Sequence, residues 1–551
     1  PTTAPAATTS APAPTAAPAA APTTAGSTTT SKVLHISTNA APPNFNPLIA
    51  VSTTQQWFFN TVMSSLTKAD PEKQDLVPDL AESWEVSPDG TSYTFKIRQN
   101  AVWHDGTPVT AKDVFFTYML YLNPKTESKR ASALSMIKGA DAFTNGKTDN
   151  VPGITQVDDQ TIKFDMEYPN VLFLNQTILS ILPAHLLGSI APADLGKNAF
   201  FSSAPVGSGP FKFVNYVPDQ SIQVEPNQSD YIAKPKINQI IFPIIVSPDT
   251  TQVAMERGEI QLPVFDGGTA TTALYKEFVA DPKWKLLGIH GGTLISYAFN
   301  DRRKYLQDER MHQAFLYALD RQKLINTFNG GNGTIVNSFM VHPWYQKPEW
   351  NKMYPYDPAK AKDLLKQMNW DSSRQLNVTV ITLANDEIRS EVAAEQQMLA
   401  EVGIKISFKE VALPVWVSTF YDTHDYDLIR VTFGTFPDPD GFLSFHMTTD
   451  SKNAMGYANP DLDKLIKEGR ETVDKAKRIA VYQQINEEML KLLPLAPVFL
   501  QNEWDLLSRR FHIPELDTMK PATSLSDVPI APSFLGSLDV YGLHQETWDL
   551  T

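Results

Sequence analysis

The most informative stretch for chemistry is Tyr426 to Leu443, YDLIRVTFGTFPDPDGFL. It offers the guanidinium of Arg430, the hydroxyls of Thr432 and Thr435, the rings of Phe433 and Phe436, and the acids Asp438 and Asp440. Arg430 has two readings, a contact to a solute carboxylate or a salt bridge inside the fold, and residue type alone leaves both open. An acid here could meet an ammonium group, which on burial needs an opposite charge or full hydrogen bonding. This is the chemistry of recognition. Chemistry that breaks bonds finds no support: there is no G-x-S-x-G and no H-E-x-x-H. The ten histidines are scattered without metal-ligand spacing, and the absence of cysteine excludes disulfides, Cys nucleophiles and thiolate metal sites. His104-Asp105 could pass for part of a catalytic set, but with Gly106 it supplies turn chemistry and reads as a turn. No cofactor and no metal are expected.

These groups must be held by a large fold. Of 551 residues, the first 30 contain only Pro, Ala, Thr, Ser and one Gly, which cannot build a core. Residues 1–31 read as a disordered tether, reaching up to roughly 90 Å if extended, and Ser/Thr with Pro would suit O-glycosylation. The remainder exceeds what one core usually supports, so two or three domains are expected. Forty-seven Lys plus Arg against 61 Asp plus Glu gives a net charge of −14, which argues against nucleic acid as a partner. No run of about 18 apolar residues reads as a membrane-spanning helix.

Local signals place the elements. Val33 to Ser37 alternates as a strand, and a proline-rich loop, Thr38 to Pro47, follows. Gln55 to Leu66 carries Phe58, Val62 and Leu66 on one helical face. Ser87-Pro88-Asp89-Gly90 is a turn, and Tyr93, Phe95 and Ile97 then alternate with polar residues as a half-buried strand. Thr110 with Asp113 is a capping box opening a helix through Leu120. Ile154 to Met166 reads as a hairpin, Phe211 to Val217 and Ser221 to Pro226 as paired strands, and Ile237 to Val246 as a buried strand. Ser247-Pro248 and Asp357-Pro358 each supply an N-cap and an N1 proline. Asn377 to Leu383, Glu387 to Val402 and Ile404 to Val411 read as β–α–β, which demands an α/β layer. Leu428, Ile429 and Val431 form a buried strand ahead of the recognition segment.

Several of these pieces occur in an order that resembles the family 5 extracellular solute-binding proteins, the receptor subunits of ABC importers. The resemblance is carried by Pro78-Asp79-Leu80-Ala81-Glu82-Ser83-Trp84, Asp89-Gly90, Tyr93-Thr94-Phe95, Trp103-His104-Asp105-Gly106 and Thr110-Ala111-Lys112-Asp113-Val114. Val206 to Phe211, Ala314 to Arg321 within one helix, and Pro437-Asp438-Pro439 extend it. The resemblance implies an α/β, bilobal periplasmic-binding-protein-like clamp of the large, three-subdomain type, with mixed sheets and a cleft between lobes. Lobe I would be 32–295 plus 498–551, with 51–190 as an inserted subdomain, and lobe II 296–497. Leu294 to Phe299 and Leu495 to Leu500 would be the crossing strands. Such a protein captures a small solute, delivers it to a membrane ABC permease, and is expected to be an extracellular monomer rather than an enzyme. A lipid-modified Cys and a signal peptide are expected ahead of residue 1.

By family position the cleft candidates are Asn44 and Phe45 in the loop after the first strand, Trp344 and Tyr345, Trp416, and Arg430, Phe433, Thr435, Phe436 and Asp440. Peptide-binding members often read W-x-A-D-Y-P-D-P at Thr432 to Pro439, where the first Asp pairs with the peptide ammonium. Here Thr435 replaces that Asp and Thr432 the Trp. A hydroxyl can accept a hydrogen bond but cannot neutralise charge, so either Asp440 or another acid takes over or the solute lacks an ammonium there. A short oligopeptide is the expected solute and an oligosaccharide the runner-up, since Trp344, Trp416, Phe433 and Phe436 could stack on sugar rings. An extracellular hydrolase and a surface scaffold are the competing classes.

Overall fold

The computed structural model describes residues 32–50, 52–70, 75–264, 272–338, 340–341, 345–370, 376–384, 386–434, 438–443, 447–448, 453–520, 522, 524–525, 528, 530–531 and 545–551. The first sheet grows from Val33–Thr38, which pairs in parallel with Gln239–Pro243 on one side and Leu262–Val264 on the other. Gln239–Pro243 continues antiparallel to Ser221–Pro226, and that strand to Phe211–Val217. The helix Thr53–Val62 packs near it, opened by Ser52, whose hydroxyl accepts the Gln55 N–H at 3.2 Å. It ends before Leu66, because Met63 is extended. The strand expected over Ile237 to Val246 is confined to Gln239–Pro243.

A second, antiparallel sheet is ordered Ala81–Val86, Ser92–Ile97, Thr161–Asp165, Ile154–Asp158. Alternation works here as read: Tyr93, Phe95 and Ile97 are buried while Lys96 is exposed. The helix Ala111–Leu122 lies on this sheet. The Asp113 carboxylate accepts the Thr110 N–H at 2.9 Å and the Ala184 N–H at 2.9 Å, so one cap serves two segments.

The third sheet is ordered Ile404–Val411, Leu376–Leu383, Leu428–Gly434, Trp284–Phe299, Leu495–Ser508, with Ile530–Ala531 pairing Trp284–Phe299. Leu376–Leu383 and Ile404–Val411 are parallel, and the helix Asp386–Val402 joins them and ends at Gly403, whose φ of +101° suits only glycine. Separate apolar clusters cover the two faces of this sheet. The family-like segment Ala314 to Arg321 is not one helix. Glu309–Ala318 stops, and Asp320 caps a new helix, Arg321–Phe328, by accepting the Lys323 N–H at 3.0 Å.

Two long antiparallel strands link the cores. Trp284–Phe299 pairs with Leu495–Ser508 from Trp284↔Ser508 to Ala298↔Leu495. Leu287 and Leu507 belong to the cluster around the first two sheets, whereas Ile295, Tyr297 and Phe499 belong to the third sheet's core. The register shifts between Ile289 and Thr293, opposite Glu503 and Gln501. The first strand begins at Trp284 rather than Leu294, and Lys285 is buried within it, its ammonium hydrogen-bonded to the Leu516 carbonyl at 3.0 Å. Among the described residues no helix is long and apolar enough to cross a membrane.

Candidate functional site

The strand Leu428–Gly434 lies between Leu376–Leu383, to which it is parallel, and Trp284–Phe299, to which it is antiparallel. Leu428 to Val431 are buried, Thr432 and Gly434 exposed, and Phe433 half-buried. The strand therefore emerges from the core where the recognition segment begins. Its last residue, Gly434, stands opposite Thr293, beside the register shift in the crossing strands. The segment thus leaves the sheet at the level where the chain passes from one core to the other. Sites in α/β proteins favour this position, beyond the carboxyl ends of strands and between packed units.

Arg430 does not reach out of the sheet. Its Nη2 donates to Glu391 Oε2 at 2.7 Å, with the two side chains 3% and 9% exposed. Of its two readings, the structure gives the ion pair inside the fold. Glu395 lies beside it, fully buried, and accepts a hydrogen bond from the Tyr297 hydroxyl. Burial pushes the Glu395 carboxyl up to about 8, against the pull of Arg430. Burial also works to lower the Arg430 guanidinium, but Glu391 and Glu395 outweigh it and hold it charged.

Asp440 is likewise taken. Arg470 Nε donates to its Oδ1 at 2.6 Å, and its side chain is 6% exposed. Burial pushes its carboxyl up while Arg470 draws it down. Asp438 accepts from Arg478 Nη2 at 2.8 Å, and Arg478 also lies over the Tyr482 ring at 4.7 Å. The two acids of Pro437 to Asp440 therefore bind arginines of the helices Pro460–Glu471 and Lys475–Leu492. Asp440 is not an unpaired carboxylate awaiting an ammonium group.

The aromatic candidates divide. Phe45 is 1% exposed, its ring 4.5 Å from that of Phe58 and 5.3 Å from that of Tyr216. Tyr345 is equally buried and lies 6.4 Å from Tyr482. These two are core residues, because a ring that leaves water at this depth presents no face to a solute. Trp416 is nearly buried and donates its indole N–H to the Arg430 carbonyl at 3.1 Å, with Phe420 at 5.3 Å. Phe433 sits 6.5 Å from Phe420 and keeps part of its surface. Asn44 is half-buried; its Oδ1 accepts from Asn46 N–H at 2.9 Å and Gln55 Nε2 at 3.1 Å, which shapes the loop. Trp344, Thr435 and Phe436 lie outside the described residues.

His104 and Asp105 do not pair with each other. His104 Nδ1 accepts the Gly207 N–H at 3.2 Å while Nε2 meets the Gly209 carbonyl at 3.0 Å, which stitches the Trp103–Gly106 turn to the Val206–Gly209 turn. Burial pushes this imidazole down to about 4. Asp105 instead holds His185 Nε2 at 2.7 Å. Sequence reasoning missed Glu391, Glu395, Arg470 and Arg478. The one available signal was the i,i+4 spacing of Glu391 and Glu395, which puts two acids on one face of a helix against an apolar sheet.

The pattern of bacterial extracellular solute-binding proteins, family 5 (Middle) matches residues 75–454. A Brucella ovis protein named for ABC transporter peptide binding is 31% identical over 480 residues, covering 85% of this chain and 87% of its own. The oligopeptide-binding protein AppA of Bacillus subtilis is 26% identical over 493 residues, with 85% and 86% covered. The crystal structure of the ABC transporter substrate-binding protein CtaP of Listeria monocytogenes superposes with a TM-score of 0.76 at 25% identity, covering 95% of this chain and 99% of that one. An unliganded, open form of the murein tripeptide-binding protein MppA gives 0.76 at 22% identity, with 92% and 97% covered. These are solute-binding transport proteins, not enzymes, and with a match over residues 75–454, more than half of its length, the chain belongs to the family 5 bacterial extracellular solute-binding proteins.

Proposed function

We propose that this protein is the receptor subunit of an ABC importer and that its solute is a short oligopeptide. The observation that carries this reading is the naming of relatives that cover 85% of the chain for peptide binding. Two cores joined by a pair of long strands with a register shift at the crossing support a clamp that closes on its solute. In this reading lobe I is 32–295 plus 498–551, with the insert 51–190, and lobe II is 296–497; both boundaries fall within the crossing strands. The solute site comprises Asn44, Trp416 and Phe433 with Trp344, Thr435 and Phe436. Phe45, Tyr345, Arg430 and Asp440 support that site from behind. The protein acts as a monomer, held at the cell surface by the tract 1–31 behind a lipid anchor, and passes its solute to a membrane permease. The oligosaccharide reading is not favoured by these relatives.

The test is calorimetric titration with a panel of short peptides and of cello- and xylo-oligosaccharides. A peptide should bind and raise the stability by roughly RT ln(1 + [L]/Kd), seen as a higher melting temperature, without being turned over. Binding of a sugar and of no peptide overturns the proposal.

A further inference from the structure

Away from the recognition segment, the helix Thr53–Val62 and the strand Thr67–Asp70 enclose a recess of about 60 Å³. Its polar wall is made by Lys68, Gln56, Asn60 and Ser180, and its apolar wall by Phe59 and Met63. Lys68 is the one cation lining it, and no carboxylate lines it among the described residues. The Lys68 side chain is 16% exposed and its ammonium keeps contact with solvent; its ion-pair partner is Asp79 at 3.7 Å, too long to be a hydrogen bond. Asp79 is already occupied: it accepts the Ser65 N–H at 2.9 Å and the Tyr231 O–H at 2.5 Å. No described group accepts a hydrogen bond from the three N–H donors of Lys68, and the Ser180 hydroxyl also has no partner among the described residues. These donors therefore face solvent in the recess and are available to the oxygens of an anion that enters it.

We propose that this recess binds a small carboxylate, with Lys68 as its cationic contact, Ser180, Gln56 and Asn60 as its hydrogen-bonding wall, and Phe59 and Met63 against a short apolar tail. The volume accommodates roughly four water-sized groups, the heavy-atom count of acetate. Charge selects a monoanion: a dianion such as phosphate would meet a single ammonium already shared with Asp79. A free short acid and the terminal carboxylate of a longer solute present the same chemistry.

The test is a thermal-shift and calorimetric titration of the full chain with sodium acetate, against sodium chloride at equal ionic strength. Acetate should give a saturable rise in midpoint that chloride does not. Lys68→Met should weaken acetate binding at least tenfold. Ser180→Leu fills the recess, leaves the Lys68–Asp79 pair in place, and should do the same, so the result does not depend on the folding of the first variant. Equal responses to acetate and chloride in the wild type, or an unchanged acetate response in Ser180→Leu, would overturn the proposal. A binding peptide with a free and an amidated carboxyl terminus then identifies the source. A preference for the free form that Ser180→Leu abolishes assigns the carboxylate to the solute, and one that survives assigns the recess to a free acid. Acetate alone tests the recess, so its failure leaves the peptide reading untouched.

Discussion

Arg430 and Glu391 face each other at 2.7 Å beneath the strand that carries the recognition segment, both largely shielded from water. Such a pair stabilises little relative to apolar residues of the same volume, but removing one partner leaves an uncompensated buried charge. Arg430→Met alone should therefore cost about 3–5 kcal/mol in urea unfolding. The double variant Arg430→Met with Glu391→Leu should recover most of that loss. If the single variant is as stable as the wild type but binds solute poorly, the internal pairing is not the role of Arg430.

Glu395 predicts a pH dependence of opposite sign to the usual carboxylate. Its ordinary value of 4.5 is raised to about 8 by burial in the fold. Between those values the folded state holds a proton that the unfolded chain releases, so stability falls as pH rises through this window, by up to about 1.4 kcal/mol per pH unit. Glu395→Gln keeps the shape and removes the titration. It should match the wild type near pH 4.5 and exceed it at pH 9. A variant less stable than the wild type at pH 9 refutes the argument.

His104 works in the other direction. Its folded value of about 4 lies below the ordinary 6.5, so its contribution is present above pH 6.5 and is lost as pH falls toward 4. The full loss is about 3 kcal/mol. From pH 4.5 to 6.5 this slope opposes that of Glu395, so the two partly cancel in the wild type. In the Glu395→Gln background the acid loss should be steeper in denaturation midpoints. Replacing His104 with Asn should then reduce it. An undiminished loss in that double variant would assign it elsewhere.

How much of this was legible in the sequence follows from the range of each interaction. The Thr110–Asp113 cap, the Asp357-Pro358 start and the β–α–β unit over Leu376–Leu383, Asp386–Val402 and Ile404–Val411 are local, and residue types within one turn or one strand determine them. The break after Ala318 was hidden because a family-like run overrode the capping signal of Asp320. The site was less legible. Whether Phe45 lines a cleft or fills a core depends on Phe58 and Tyr216, and the second of these comes from a distant strand. Arg430 meets Glu391 from 39 residues away, and Asp440 meets Arg470 from 30. Charge partners at such separations have no local signature.

The last prediction concerns the charge of the solute and follows from the occupied acids. The resemblance read from the sequence implies an ammonium-pairing Asp at the position that Thr435 occupies in the chain, and the two acids that follow it, Asp438 and Asp440, are bound to Arg478 and Arg470. Asp440 would have to abandon a 2.6 Å contact to serve a ligand, leaving the Arg470 guanidinium unpaired. On the proposed peptide reading, N-acetylation of a binding peptide should therefore cost little, well under the roughly 3–5 kcal/mol expected when a buried acid loses its only partner. Calorimetric titration with the free and acetylated peptide measures the difference directly. A loss of a hundredfold or more, about 2.7 kcal/mol, would show that an acid does receive the ammonium. Asp440→Asn separates the two cases: with its carboxylate engaged by Arg470 it should lower the melting temperature and leave the affinity ratio of free to acetylated peptide unchanged. If that ratio collapses instead, Asp440 exchanges Arg470 for the solute on binding.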